Sequence, residues 1–125
     1  MVGGDVRQTP TIAHSPYAAI VAAVLQGLGI DEETLALALD VNKRTIERWL
    51  EEGHRPQREA EERLNAMVEI KDHLTDTFDD QKVIHRWITR DSRYLGGMSP
   101  RDVLRAGRID RVQGALIALD EGTFV

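Results

Sequence analysis

The sequence predicts an all-α protein with a helix-turn-helix near its N-terminal end. Three observations carry that prediction. Apolar residues recur at helical spacing along most of the chain, and no stretch of any length reads as a strand. Helix boundaries are marked repeatedly, by Ser15-Pro16 and Ser99-Pro100 at two starts and by glycines at several ends. Between Glu32 and Glu51, apolar residues hold the offsets that two short helices crossing over a tight turn require.

The elements follow in order. Ser15 caps a first helix with Pro16 at its first position, and Ile20, Val21, Val24, Leu25 and Leu28 form its stripe. Gly27 and Gly29 end it. Asp31 caps a second helix carrying Leu35, Ala36 and Leu39. Asn42 caps a third, with Ile46, Trp49 and Leu50 on one face and Gly53 as its stop. Pro56 opens a longer fourth helix with the stripe Leu64, Met67, Val68 and Leu74, ending near Thr77-Phe78. Asp79 or Asp80 caps a fifth, with Val83, Ile84, Trp87 and Ile88. A loop from Asp91 to Met98 contains Gly96-Gly97. Ser99-Pro100 then opens a brief helix over Arg101–Ala106, broken by Gly107. A last helix runs from Asp110 to Asp120, with Val112, Ala115, Leu116 and Leu119 inward and Gly122 closing it.

A chain of 125 residues makes one domain, or two very small ones sharing a helix. The organisation read here is a loose arm over 1–14, a helix-turn-helix unit over 15–78, and a second helical unit over 79–125. The chain has no cysteine, which removes disulfides, thiol nucleophiles and cysteine-based zinc sites and fits a reducing cytoplasm. No apolar run reaches the length of a membrane span, and the first residues lack the pattern of a signal peptide. No membrane partner is expected. The net charge of −5 is unevenly spread. Lys43–Arg55 leans basic, and His85–Arg111 carries seven arginines against three aspartates. Each basic patch suits an anionic or acidic partner.

In the helix-turn-helix, Leu35, Ala36, Leu39, Val41, Ile46 and Trp49 are the packing positions, with Ala36 as the small contact residue. The turn falls on Asp40, where glycine is usual. Aspartate enters the left-handed region more readily than most residues. The pattern resembles that of Xre/Cro-like helix-turn-helix units. With the second helix of the motif in a major groove, Asn42, Lys43, Arg44, Thr45 and Arg48 face base edges and phosphates. Glu47, Glu51 and Glu52 nearby work against phosphate contacts. One such motif covers few base pairs, so a homodimer is expected, through either the first helix or the long fourth one.

Trp87 to Gly122 resembles the toxin-binding region of Xre/MbcA/ParS antitoxins. The resembling features are Leu95-Gly96-Gly97-Met98-Ser99-Pro100, Asp102-Val103-Leu104 and Gly107, then Val112, Ala115, Leu116 and the ending Leu119-Asp120-Glu121-Gly122-Thr123-Phe124-Val125. With the upstream motif, the resemblance covers about residues 15 to 125. It implies a small helical toxin-binding domain behind the helix-turn-helix. It also implies a RES-domain toxin as partner, one that degrades NAD or transfers ADP-ribose and is blocked at its active-site cleft. Operator DNA would be bound for autoregulation. The candidate toxin contacts are Arg93, Tyr94, Leu95 and Met98 in the Gly-rich loop, with Thr123, Phe124 and Val125 in the tail. That tail either folds onto its own core or enters the partner.

No catalytic function is expected. His14, His54, His73 and His85 lack metal-ligand spacing, and no nucleophile motif, phosphate loop or dinucleotide fingerprint is present. No cofactor and no metal are expected. The alternatives are a helix-turn-helix regulator with a non-toxin effector, and an adaptor that uses the motif only to dimerise.

Overall fold

The computed structural model describes residues 16–52 and 54–122. The arm over 1–14, the Ser15 cap, the Gly53 stop and the tail Thr123, Phe124 and Val125 lie outside the described residues. Among the described residues seven helices follow one another: α1 (Pro16–Leu28), α2 (Glu32–Leu39), α3 (Lys43–Glu52), α4 (Arg58–Thr77), α5 (Gln81–Thr89), α6 (Pro100–Arg105) and α7 (Ile109–Asp120). There is no strand among the described residues.

Local chemistry sets most of the boundaries. The Asp31 carboxylate accepts from the Thr34 N–H at 2.8 Å and starts α2. Asn42 Oδ1 accepts from the Thr45 N–H at 2.9 Å and starts α3. Asp80 and Ser99 do the same for α5 and α6, with Pro100 at the helix entry. Three starts differ from expectation. Helix α6 begins at Pro100, one residue early. Helix α4 begins at Arg58, because Pro56 precedes the extended residue Gln57 and does not occupy the first turn. Helix α7 begins at Ile109, one residue early, and Ile109 is buried.

One apolar core runs from Val21 in α1 to Leu116 in α7. Helix α1 packs on α3, α4 and α5, while α2 packs on α3, α4 and α6. Helix α7 closes the other side against α4 and α6. The core therefore continues across residue 79, and the two segments are joined by buried side chains. The long helix α4 contributes Ala60, Leu64, Met67, Ile70 and Leu74. Ile70 is absent from the expected stripe, and Val68 is only half-buried. Trp49 is buried as expected, whereas Trp87 lies partly open at the core edge.

Polar contacts fix the helices against one another. The Tyr17 hydroxyl donates to the Glu61 carboxylate, tying α1 to α4. Arg63 donates to the Ala38 carbonyl at 3.2 Å, satisfying an orphan acceptor at the end of α2. Gln81 does likewise for Gly27 at the end of α1, at 2.7 Å.

Candidate functional site

Helices α2 and α3, joined by a tight turn at Asp40, occupy the segment expected to be a helix-turn-helix. The turn depends on Asp40, at φ 59° and ψ 45°, the one non-glycine residue with positive φ among those described. Its left-handed backbone lets the Val41 N–H reach the Ala36 carbonyl at 3.0 Å and close α2. Leu35, Ala36, Leu39, Ile46 and Trp49 are buried, and Val41 is half-buried. The apolar register thus sets how α3 is presented.

The outward side of α3 carries the five residues expected to face nucleic acid. Lys43 and Arg44 are exposed, with no ion-pair partner among the described residues. The Asn42 side chain is committed to the cap, accepting from both the Thr45 N–H and the Thr45 hydroxyl. Arg48 lies 3.8 Å from Glu52 and 3.4 Å from His54 Nδ1. Asn42, Thr45 and Arg48 line an open groove of about 1140 Å³ between α3 and the start of α4, with Arg55 and Arg63 on its other side. Asp40, Glu59 and Glu62 line it too, so it is mixed in charge. Lys43 and Arg44 stand outside it, at the leading end of α3.

The second candidate surface is the loop between α5 and α6. Gly96 and Gly97 adopt φ 72° and 92°, and nothing lies within 4 Å of a side chain built there. The Ser92 carbonyl accepts from the N–H groups of Leu95 at 3.1 Å and Gly97 at 2.8 Å. This curl pushes Leu95 inward, where it is 2% exposed and belongs to the core. Of the expected loop contacts, Leu95 thus belongs to this chain's own core in the structure. Tyr94 and Met98 remain outward, at 38% and 44% exposed, and Arg93 is exposed beside them. Tyr94 is braced by α7: its hydroxyl lies 2.7 Å from where a side chain at Gly114 would begin.

Ile117 was not singled out in the sequence and is the most exposed large apolar residue described, at 58%. It follows Gly114 by three positions, so it shares that helix face with Tyr94. The signal was its place off the inward stripe of Ile109, Val112, Ala115 and Leu116.

The arginines of the second half divide into two groups. Arg105 is committed to α2, donating to the buried Thr34 hydroxyl oxygen at 2.8 Å and lying 3.7 Å from Glu33. Arg108 holds Asp110 through two hydrogen bonds, and this pairing lowers the Asp110 pKa. Arg86, Arg90, Arg93, Arg101 and Arg111 have no ion pair among the described residues. No group of side chains suited to hold a metal ion is found among the described residues. No described helix is long and apolar enough to cross a membrane.

The model of the antitoxin Xre/MbcA/ParS C-terminal toxin-binding domain matches residues 73–122, from late α4 to the end of α7. The chain is 29% identical over 109 residues to the mycobacterial cidal antitoxin MbcA of Mycobacterium tuberculosis, covering 86% of this chain and 95% of the relative. The Mycobacterium bovis protein of the same name gives the same values. Among solved structures, a chain of the crystal structure of the M. tuberculosis MbcT–MbcA toxin–antitoxin complex superposes with a TM-score of 0.63 at 28% identity. The superposition covers 86% of this chain and 96% of that one.

Proposed function

We propose that this chain is an antitoxin of the Xre/MbcA/ParS kind that neutralises a toxin and represses its own operon; the match of residues 73–122 to that family's C-terminal toxin-binding domain and the likeness to MbcA and to the toxin–antitoxin complex support the reading. The partner in this reading is a RES-domain toxin that degrades NAD or transfers ADP-ribose. The antitoxin acts in the cytoplasm by covering the toxin's active-site cleft. Residues 79–125 supply that contact, residues 15–78 dock on DNA, and the arm over 1–14 precedes both.

The observation that carries the toxin-contact reading is the outward pair Tyr94 and Met98 inside the family-matched segment. Isolated apolar residues on a surface are common. Here two of them stand on a hydrogen-bonded loop, Arg93 flanks them, and Ile117 lies on the helix face that braces Tyr94. Apolar side chains held outward by a rigid loop are suited to bury against a partner at little entropic cost. Thr123, Phe124 and Val125, which follow α7 in the sequence, are part of the proposed contact.

The DNA half rests on Lys43 and Arg44 at the start of α3, exposed and with no ion pair among the described residues, with Asn42, Thr45 and Arg48 beside them. Lys43 suits phosphate and Arg44 suits guanine. Two half-sites require two copies, so the active species is a homodimer. Co-expression with the product of the adjacent gene tests the toxin half. Restored growth supports it, and operator binding without rescue would leave a regulator with a different partner.

A further inference from the structure

Helix α5 carries a strongly basic face that neither surface above uses. Lys82, Arg86 and Arg90 follow one another at four-residue spacing. Each is two positions from a buried isoleucine, Ile84 or Ile88, which puts it about 200° around the helix from the core. All three are exposed and none has an ion pair among the described residues. Arg93 extends the row into the loop. Between Gln81 and Arg93 there are four such cations and one carboxylate, Asp91, in a chain whose net charge is −5. A basic face of that kind is not a by-product of composition.

We infer that the Lys82–Arg86–Arg90 face of α5 docks an acidic surface on the toxin partner, flanking the apolar contact at Tyr94 and Met98. This rests on the antitoxin reading and adds a charged flank to it. Continuity favours a protein occupant: the row leads through Arg93 directly into the Tyr94 loop. DNA is disfavoured by position, because α3 and α5 each pack on α1 and are not closely packed on one another. The face therefore does not extend the surface that α3 presents. Charges at the edge of an apolar contact act mainly on encounter, steering an oppositely charged partner and setting salt dependence.

The test compares wild type with the triple variant K82E/R86E/R90E, and with K82R/R86K/R90K as the charge-retaining control. Binding to the purified product of the adjacent toxin gene is measured from low to physiological salt, alongside binding to operator DNA, with thermal melts to confirm folding. The expected result is a toxin affinity at least about tenfold weaker at low salt, lost mainly in the association rate. The salt dependence flattens, DNA binding is unchanged and the charge-retaining control behaves as wild type. Unchanged toxin binding by the triple variant would overturn the inference, leaving a solvated face. Loss of DNA binding with toxin binding intact would overturn it too, in favour of a nucleic-acid contact. If wild type itself fails to bind that product, the antitoxin reading falls along with it.

Discussion

Arg105 donates to the Thr34 hydroxyl oxygen at 2.8 Å across 71 residues of sequence, joining α6 to α2. Thr34 is fully buried, and its hydroxyl oxygen accepts from Arg105 while the hydroxyl also bonds Asp31. Arg105→Ala takes the donor from the buried Thr34 oxygen and removes the bridge to Glu33. The expected loss is about 1–3 kcal/mol of folding stability, read as a fall in melting temperature. A double-mutant cycle with Thr34→Val should show coupling of about 0.5–3 kcal/mol. Additive effects would mean that the two residues act separately.

The same link has a pH consequence. Hydrogen bonds from the Thr34 side chain and backbone N–H hold the Asp31 carboxyl below its ordinary pKa, and Arg101 and Arg105 add to this. A depressed carboxyl stabilises the fold above its unfolded pKa. That contribution is lost as pH falls through the usual carboxylate range and below. Asp31→Asn keeps a capping oxygen but cannot titrate. Its melting temperature should fall less steeply than that of wild type between pH 5 and pH 2, as acid titration followed by circular dichroism would show.

The turn makes its own prediction. Asp40 sits in the left-handed region, where a β-branched side chain is strained. Asp40→Val should cost about 1–2 kcal/mol, while Asp40→Gly should match or exceed wild type. Chemical denaturation of the three proteins separates these outcomes.

On α3, Arg44→Ala is expected to cost about 1–3 kcal/mol in operator binding and to relax specificity. Lys43→Ala should weaken binding on all sequences and reduce its salt dependence. Wild-type affinity in the double variant would remove the recognition-helix assignment.

Burial separates Leu95 in the loop from Ile117 on α7. Leu95→Ala should destabilise the fold by about 2–5 kcal/mol, because it empties a core position. Ile117→Asp should leave the melting temperature nearly unchanged and weaken toxin neutralisation. The paired readouts are thermal stability and growth rescue.

Much of the fold was legible because its punctuation is local. Asp31, Asn42, Asp80 and Ser99 cap helices in the structure as their side chains suggest, and Asp40 takes the left-handed turn. What escaped depends on distant neighbours. Ile70 is core because α4 is covered by other helices over much of its length. Leu95 looks like a loop residue until the backbone curl around Ser92 turns it inward. Arg105 reads as one arginine among seven, and its hydrogen bond to a buried threonine appears only once α6 meets α2. The exposed half of the candidate site, Arg93, Tyr94 and Met98, was visible as apolar and basic residues in a Gly-rich loop, whereas Ile117 was hidden within a regular helix.

The central claim is tested most directly by growth rescue. The product of the adjacent gene is induced with and without this chain, and viable cells are counted. Loss of viability under induction alone, restored by co-expression, is the predicted result. An adjacent product that is harmless, or that kills equally with the chain present and soluble, would contradict it.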